Sequence, residues 1–238
     1  VSTEYVLTDY LQICHQPRIS TEPTLKQSSI TGLQVEVIVH YCTVFYGCLI
    51  EVNQMANQNS AFYLDEFDDL LVQTSSNDRY DEMGAVFSPD EQYRYYLWRE
   101  WDDSRPTVAW LMANPSTADG FSSDATIDRV YGYSDRWGYG SCVVANLFAH
   151  RSDEPAELNT VEDPIGPRND EILEHLTAKA DLVVGAWGSP GDRYGRPEEV
   201  LQKLDTDIQA LTVLSSGNPG HPLYKSRDLE PTPYEYDD

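Results

Sequence analysis

The stretch "TVAWLMANPSTADG", residues 107–120, decides the fold. Thr107 to Met112 is a short apolar strand, and it stops at Asn114-Pro115-Ser116, where proline offers no ladder donor and holds the preceding residue extended. Turn chemistry alone accounts for such an ending. In an open α/β sheet, however, ligands bind just past the carboxyl ends of the strands, where this loop would lie. The loop therefore has two readings, a strand terminator and part of a site.

The surrounding chain supplies the sheet. Upstream, "AVFSPDEQYRYYLW" (85–98) predicts a hairpin turning at Ser88-Pro89-Asp90, with Tyr93, Tyr95 and Leu97 alternating against Arg94, Tyr96 and Trp98. Downstream, Asp124 can cap a helix carrying Ile127, Val130, Tyr131 and Ser134 at helical spacing and closed by "WGYG" (137–140). "SCVVAN" (141–146) is the next strand. A short helical turn in "SDEPAEL" (152–158) leads to a helix opened by Pro167, with Ile172, Leu173 and Leu176 on one face. "DLVVGAW" (181–187), "RPEEVLQKLDTDI" (196–208) and "ALTVLS" (210–215) then read as strand, helix and strand. The order βαβαβαβ predicts an α/β fold: a three-layer αβα sandwich with a four-stranded parallel central sheet, right-handed crossovers and an N-terminal β-hairpin at the edge.

The 238 residues suffice for one medium domain plus an appendage. Residues 1–54 hold three of the four cysteines and a nearly balanced charge, five acids against two bases. They read as an atypical extension, or as upstream sequence from a misplaced start, since Met55 opens "MANQNSAFYLDEFDDLL" like a natural beginning. Residues 55–84 form an acidic segment, 85–228 a single α/β domain, and 229–238 a disordered acidic tail.

The formal charge is −24, with 16 Lys and Arg against 40 Asp and Glu, and lysine stands only at 26, 179, 203 and 225. Such a surface repels nucleic acid and anionic membranes in dilute buffer. It suits a halophilic cytoplasm, where self-repulsion is screened within ~3 Å at about 1 M ionic strength. The cysteines form no C-x-x-C pair and no zinc spacing with histidine, so neither metal nor other cofactor is expected. No basic segment precedes an apolar stretch at the N-terminus. The longest uncharged run, Val37 to Ile50, is shorter than the roughly 20 residues of a membrane-spanning helix. These features read as a soluble cytoplasmic protein without a membrane partner.

Each of the four strands runs into polar, glycine or proline residues. Their ends deliver Asn114 with Ser116 and Thr117, Asn146 with Phe148, Trp187-Gly188, and the loop "GNPGHPLY" (217–224) with His221. One histidine, two carboxamides, hydroxyls and rings suit a pocket for a planar heterocycle. As turn chemistry, Asn114 simply ends a strand and His221 is a surface loop residue. Asn146 resists so plain a reading, because an amide at the end of a buried strand costs about 1 to 3 kcal/mol if unpaired.

In order, "NPSTAD" (114–119), "NLFAHRSDEPAEL" (146–158), "DPIGPRND" (163–170), "AWG" (186–188) and "HPLY" (221–224) resemble a bacterial and archaeal family, domain of unknown function 1643, over roughly Tyr93 to Tyr224. That family name implies no activity. The strand-end series also resembles the uracil-DNA glycosylase superfamily, with Asn114-Pro115, Asn146, Trp187-Gly188 and His221-Pro222 at its Asn-Pro loop, base-reading Asn, Trp-Gly and His-Pro positions. The resemblance implies cleavage of an N-glycosidic bond.

That reaction sends negative charge onto the departing base, so a site needs a donor aimed at a base oxygen. His221 can supply it as a neutral imidazole, and the Asn146 amide matches one edge of a pyrimidine. Asn114 can orient water but cannot take its proton, which leaves Asp119 or Asp124 as the base. Phe121 or Phe148 can stack on the ring, Ser116, Thr117, Trp187 and Gly188 complete the binding set, and Arg151 holds a phosphate or pairs with Asp153 and Glu154. Where the superfamily continues His-Pro-Ser, Leu223-Tyr224 follows here, which argues against duplex engagement. The expected partner is a nucleobase-containing small molecule or a single-stranded nucleic acid. A catalytically silent module binding the same ligands, and an acidic partner-binding protein, are the alternatives.

Overall fold

The computed structural model describes residues 42–45, 48–52, 69–116, 121 and 124–236, all within one compact unit, Tyr41–Asp238. The expected extension before Cys42, the start at Met55 and most of the acidic 55–84 segment lie outside the described residues. So do Thr117 and Asp119.

Among the described residues, ten strands join in one mixed sheet. β1 (Cys42–Phe45), β2 (Cys48–Val52), β3 (Leu71–Ser75), β4 (Glu82–Phe87) and β5 (Arg94–Glu100) run antiparallel in sequence order. β5 then pairs antiparallel with β7 (Ser141–Asn146), which is parallel to β6 (Thr107–Met112). β8 (Leu182–Gly185) and β9 (Ile208–Ala210) continue in parallel beyond β6, and β10 (Thr232–Pro233) closes the far edge antiparallel to β9. The fold is mixed α/β.

The sheet corrects the sequence expectation in extent. Three of the strands expected to be parallel, β6, β7 and β8, are so. The fourth parallel partner is Ile208–Ala210 rather than 210–215; all four sit inside a larger and mostly antiparallel sheet, and the β4–β5 hairpin is interior rather than at the edge. The side chains explain it. From Arg94 to Arg99 every residue of β5 is buried, so both faces are covered and the strand cannot serve as a half-solvated edge. The α/β domain also begins before Ala85, since β3 already pairs with β4. The tail departs from expected disorder too: β10 pairs with β9, and buried Tyr234 donates its hydroxyl to the Gly217 carbonyl at 3.0 Å.

α1 (Ala125–Arg136) opens on Asp124, whose Oδ1 accepts from the Thr126 and Ile127 N–H groups at 2.8 Å each. It closes with Gly138 at φ +89°, where Gly138 N–H reaches the Asp135 carbonyl and Tyr139 N–H the Ser134 carbonyl. Its core face is Ile127, Val130, Tyr133 and Ser134; Tyr133, not Tyr131, is the buried tyrosine. α2 (Asn169–Lys179), the single turn α3 (Gly188–Gly191) and α4 (Arg196–Lys203) follow. Trp110, Val144 and Val184 pack with the apolar face of α1, while Leu111, Val143 and Val183 pack with Ile172, Leu173 and Leu176 of α2 and Val200 of α4. The alternation of Trp110 and Leu111 thus assigns one helical layer to each face.

The chain leaves β6 for α1 on one face and leaves β8 for α4 on the other. Neighbouring strands whose connections diverge in this way open a crevice at their carboxyl ends.

Candidate functional site

A cavity of about 410 Å³ occupies that crevice, within the range of about 300 to 1,000 Å³ usual for small-molecule sites. Its apolar lining includes Met112, Ile127, Val144 and Trp187. Its polar lining includes Asn114, Ser116, Asn146, His221, Asp124 and Arg94. The Asn-Pro loop, the end of β7, the Trp-Gly turn and the His-Pro loop therefore meet around one space.

Asn114 is held by the loop it helps to form. Its Nδ2 donates to the Ser152 carbonyl at 2.8 Å and to the Pro115 carbonyl at 3.1 Å. Ser152 N–H in turn donates to the Pro115 carbonyl at 2.9 Å. Two carbonyl partners fix the amide orientation, because only the nitrogen can donate to them. Its Oδ1 is what Asn114 can offer to the cavity. Ser116 lines the same wall.

Asn146, 3% exposed at the end of β7, lines the cavity, and its side chain makes no hydrogen bond to a described residue. Its own carbonyl accepts from Asn169 Nδ2 at 3.0 Å, which also reaches the Leu147 carbonyl at 3.0 Å and so pins the turn after β7. Buried polar side chains nearly always find a partner. Here the donor and acceptor are left to the cavity.

His221 is half-buried, and its Nδ1 accepts from Leu223 N–H at 3.3 Å, capping the 3₁₀ turn Pro222–Tyr224. An accepting Nδ1 puts the proton of the neutral ring on Nε2. Burial holds the imidazole below its ordinary proton affinity, with the Asp124 carboxylate pulling the other way. The ring is thus a neutral N–H donor at the cavity.

Asp124 lines the cavity while capping α1 through Oδ1, leaving Oδ2 as its one uncommitted oxygen. Trp187, 1% exposed, forms a wall, held by Nε1–H donation to Asn218 Oδ1 at 3.0 Å. Gly188 shapes that wall without lining it. At φ +59° it turns the chain from Trp187 into Pro190, its N–H donates to the Pro219 carbonyl at 2.9 Å, and a Cβ there would stand 3.9 Å from that of His221.

Other expected binding residues lie elsewhere. Phe148 is fully buried among the α2-side core residues, because the chain after β7 turns inward beneath Asn169. Arg151 reaches back to the hairpin turn, where it donates to the Glu91 carbonyl at 3.0 Å and lies over the Phe87 ring. Phe121 is half-buried and does not line the cavity. Several lining residues escaped the sequence reading, Arg94, Asp153 and Tyr224 among them. Arg94 is buried at the start of β5, and Tyr224, 87% exposed, stands at the rim as an open aromatic face.

Among the described residues, no group of three or more His, Cys, Asp or Glu side chains could hold a metal ion, and no helix is long and apolar enough to cross a membrane. Cys142 is buried in the sheet, and burial pushes its thiol up to about 12, which removes it as a nucleophile.

These features define a mixed α/β protein with a polar cavity at the carboxyl ends of its parallel strands. Residues 94–223, more than half of the chain, match the family model described as "Protein of unknown function (DUF1643)", and the chain belongs to that family. Comparisons with curated proteins and with solved structures give no match.

Proposed function

We propose that the cavity binds a nucleobase-containing molecule and that the protein is a glycosylase-like hydrolase of the N-glycosidic bond. The observation that carries this reading is Asn146, a nearly buried carboxamide on the cavity wall whose donor and acceptor meet no described residue. A pyrimidine edge presents the complementary acceptor and donor side by side. His221 Nε2–H would donate to a base oxygen as charge builds there. The C1′–N bond breaks with its electron pair on the base, water oriented by Asn114 Oδ1 adds to the sugar carbon, and its proton passes to Asp124 Oδ2 or to solvent. The base anion takes its proton from solvent. Tyr224 offers the stacking face first assigned to Phe121 or Phe148.

The resemblance to the uracil-DNA glycosylase superfamily supports the same roles, and the parallel order of β7, β6, β8 and β9 is compatible with it. Leu223-Tyr224 in place of a serine favours a free nucleoside, a nucleotide or a single strand over a duplex. The charge of −24 supports a salt-rich cytoplasm as the setting. A binding module without turnover is the second reading, favoured by the commitment of Asp124 Oδ1 to the helix cap.

The test is titration calorimetry of bases, nucleosides, nucleotides and a short single strand in about 1 M KCl, with wild type and Asn146→Ala. Binding of a pyrimidine-containing ligand that the variant weakens about tenfold or more is expected; no binding by wild type, or equal binding by both, refutes the reading. Base release by wild type, slowed by about 10² in His221→Ala, separates the enzyme from the binding module.

A further inference from the structure

A second cavity, of about 680 Å³, runs along the outer side of α1. Its lining gathers Arg79, Arg129, Arg136 and Arg227, four of the twelve arginines in a chain of formal charge −24. Two acids, Asp128 and Asp228, share it. Arg79 is engaged, donating to Asp128 at 2.7 Å and lying 4.0 Å from the Tyr131 ring centroid. Arg136 is engaged by Glu230 and the Leu229 carbonyl.

Arg129 and Arg227 are different: neither makes a hydrogen bond or ion pair with a described residue, and Arg129 Nη1 is shielded from solvent. The nitrogens of both guanidiniums that remain accessible have no acceptor, and an anion in the groove supplies one. The positive charges of Arg129, Arg136 and Arg227 and the opposing charge of Asp228 all bear on the Tyr133 hydroxyl, which is itself anchored to the Ser226 carbonyl at 2.6 Å. Three guanidiniums and one carboxylate thus share one part of the groove, with the positive charge in excess.

We infer that this groove is a phosphate-binding site in which Arg129 and Arg227 grip the oxygens of a phosphate group. The planar fork of arginine matches phosphate oxygens in pairs, and several guanidiniums around one point suit a multiply charged anion better than a single carboxylate. The phosphate can come free or as part of a polynucleotide strand. The site stands independently of the nucleobase reading, since none of these arginines lines the strand-end cavity.

The test measures binding of inorganic phosphate, pyrophosphate and an oligothymidylate by calorimetry in about 0.15 M and about 1 M KCl, with Arg129→Gln, Arg227→Gln and, as control, Arg105→Gln. Arg105 lies outside the groove and pairs with Asp102 and Asp135. Arg227 is exposed, so its variant keeps the test open if Arg129→Gln misfolds by near-ultraviolet circular dichroism. Binding of at least one ligand, weakened about tenfold by each folded groove variant and unchanged in the control, is expected. Phosphate or pyrophosphate binding as tightly as the strand identifies a small anion as the ligand; a tighter strand identifies the polymer. No binding of any of the three, or equal affinity in wild type and Arg227→Gln, overturns the inference. Neither result bears on the phosphate-free nucleosides and Asn146→Ala, which test the strand-end cavity separately.

Discussion

Asn114, Asn146 and Asn169 are one side chain in three situations, and their substitutions should separate accordingly. Asn169→Ala removes a donor shared by two buried carbonyls and should lower stability by about 1 to 3 kcal/mol. Asn146→Ala deletes an amide that no described residue meets, so its urea midpoint should stay close to wild type while ligand affinity falls. A large loss of stability in Asn146→Ala would falsify the assignment of its amide to the cavity. His221 adds a pH signature. Because burial depresses its proton affinity below the ordinary 6.5, the unfolded chain protonates first, and stability present above about 6.5 declines as pH falls through that value. His221→Gln should flatten this part of the stability–pH curve in urea titrations; an unchanged slope assigns it to other groups. Asn146 was legible in sequence because an amide ending a buried strand needs a reason. Arg94 was not, since strand alternation counts it as outward-facing, and only a sheet covered on both faces turns that side inward.

The first two helices were read closely because their signals are local: the Asp124 cap, the Gly138 stop and the apolar spacing of α2 all act within a few residues. The third was carried to Ile208, but α4 ends at Lys203 and Ile208 opens β9. Strand placement was less secure. The apolar run "ALTVLS" looked like the fourth strand, but pairing with β8 starts at Ile208 and ends at Ala210. The rest leaves the sheet in a turn where Leu214 N–H donates to the Asn218 carbonyl at 2.8 Å, and this excursion carries His221 back to the cavity. Asp124 serves both a helix and a candidate reaction, and two substitutions separate these roles. Asp124→Ala should lower the melting free energy by about 1 kcal/mol, whereas Asp124→Ser, which still caps, should stay within about 0.5 kcal/mol. Equal destabilisation by both would show that the negative charge, not the cap, is what matters there. Gly188→Ala has room for its methyl, with the nearest atom at 3.4 Å, yet the φ of +59° should cost about 1 to 2 kcal/mol, measurable by thermal denaturation.

Apart from the β4–β5 hairpin, the antiparallel half of the sheet escaped the sequence reading, because its decisive pairing, β5 against β7, joins segments separated by β6 and α1. Such a register is set by burial on both faces, which local periodicity does not reveal. Charge, by contrast, is fully legible in composition. With 40 acids against 16 bases, repulsion between carboxylates opposes the compact state wherever it is unscreened. The melting temperature should therefore rise steadily from low-salt buffer to about 1 M KCl, where the screening length shrinks to about 3 Å. A melting temperature flat across that range would remove the case for a salt-rich setting.

The 3₁₀ turn Pro222–Tyr224 is a party wall: Leu223 lines the arginine groove on one side, while His221 and Tyr224 line the strand-end cavity on the other. Beside the Lys225 N–H bond to the Pro222 carbonyl, one pin of the wall is a neutral imidazole accepting from a backbone amide. A proton on His221 turns that acceptor into a donor, sets N–H against N–H and releases the pin. Acid is then a third occupant of the structure, competing at once with whatever sits on either side, and by reciprocity anything that seats firmly against the wall makes His221 harder to protonate.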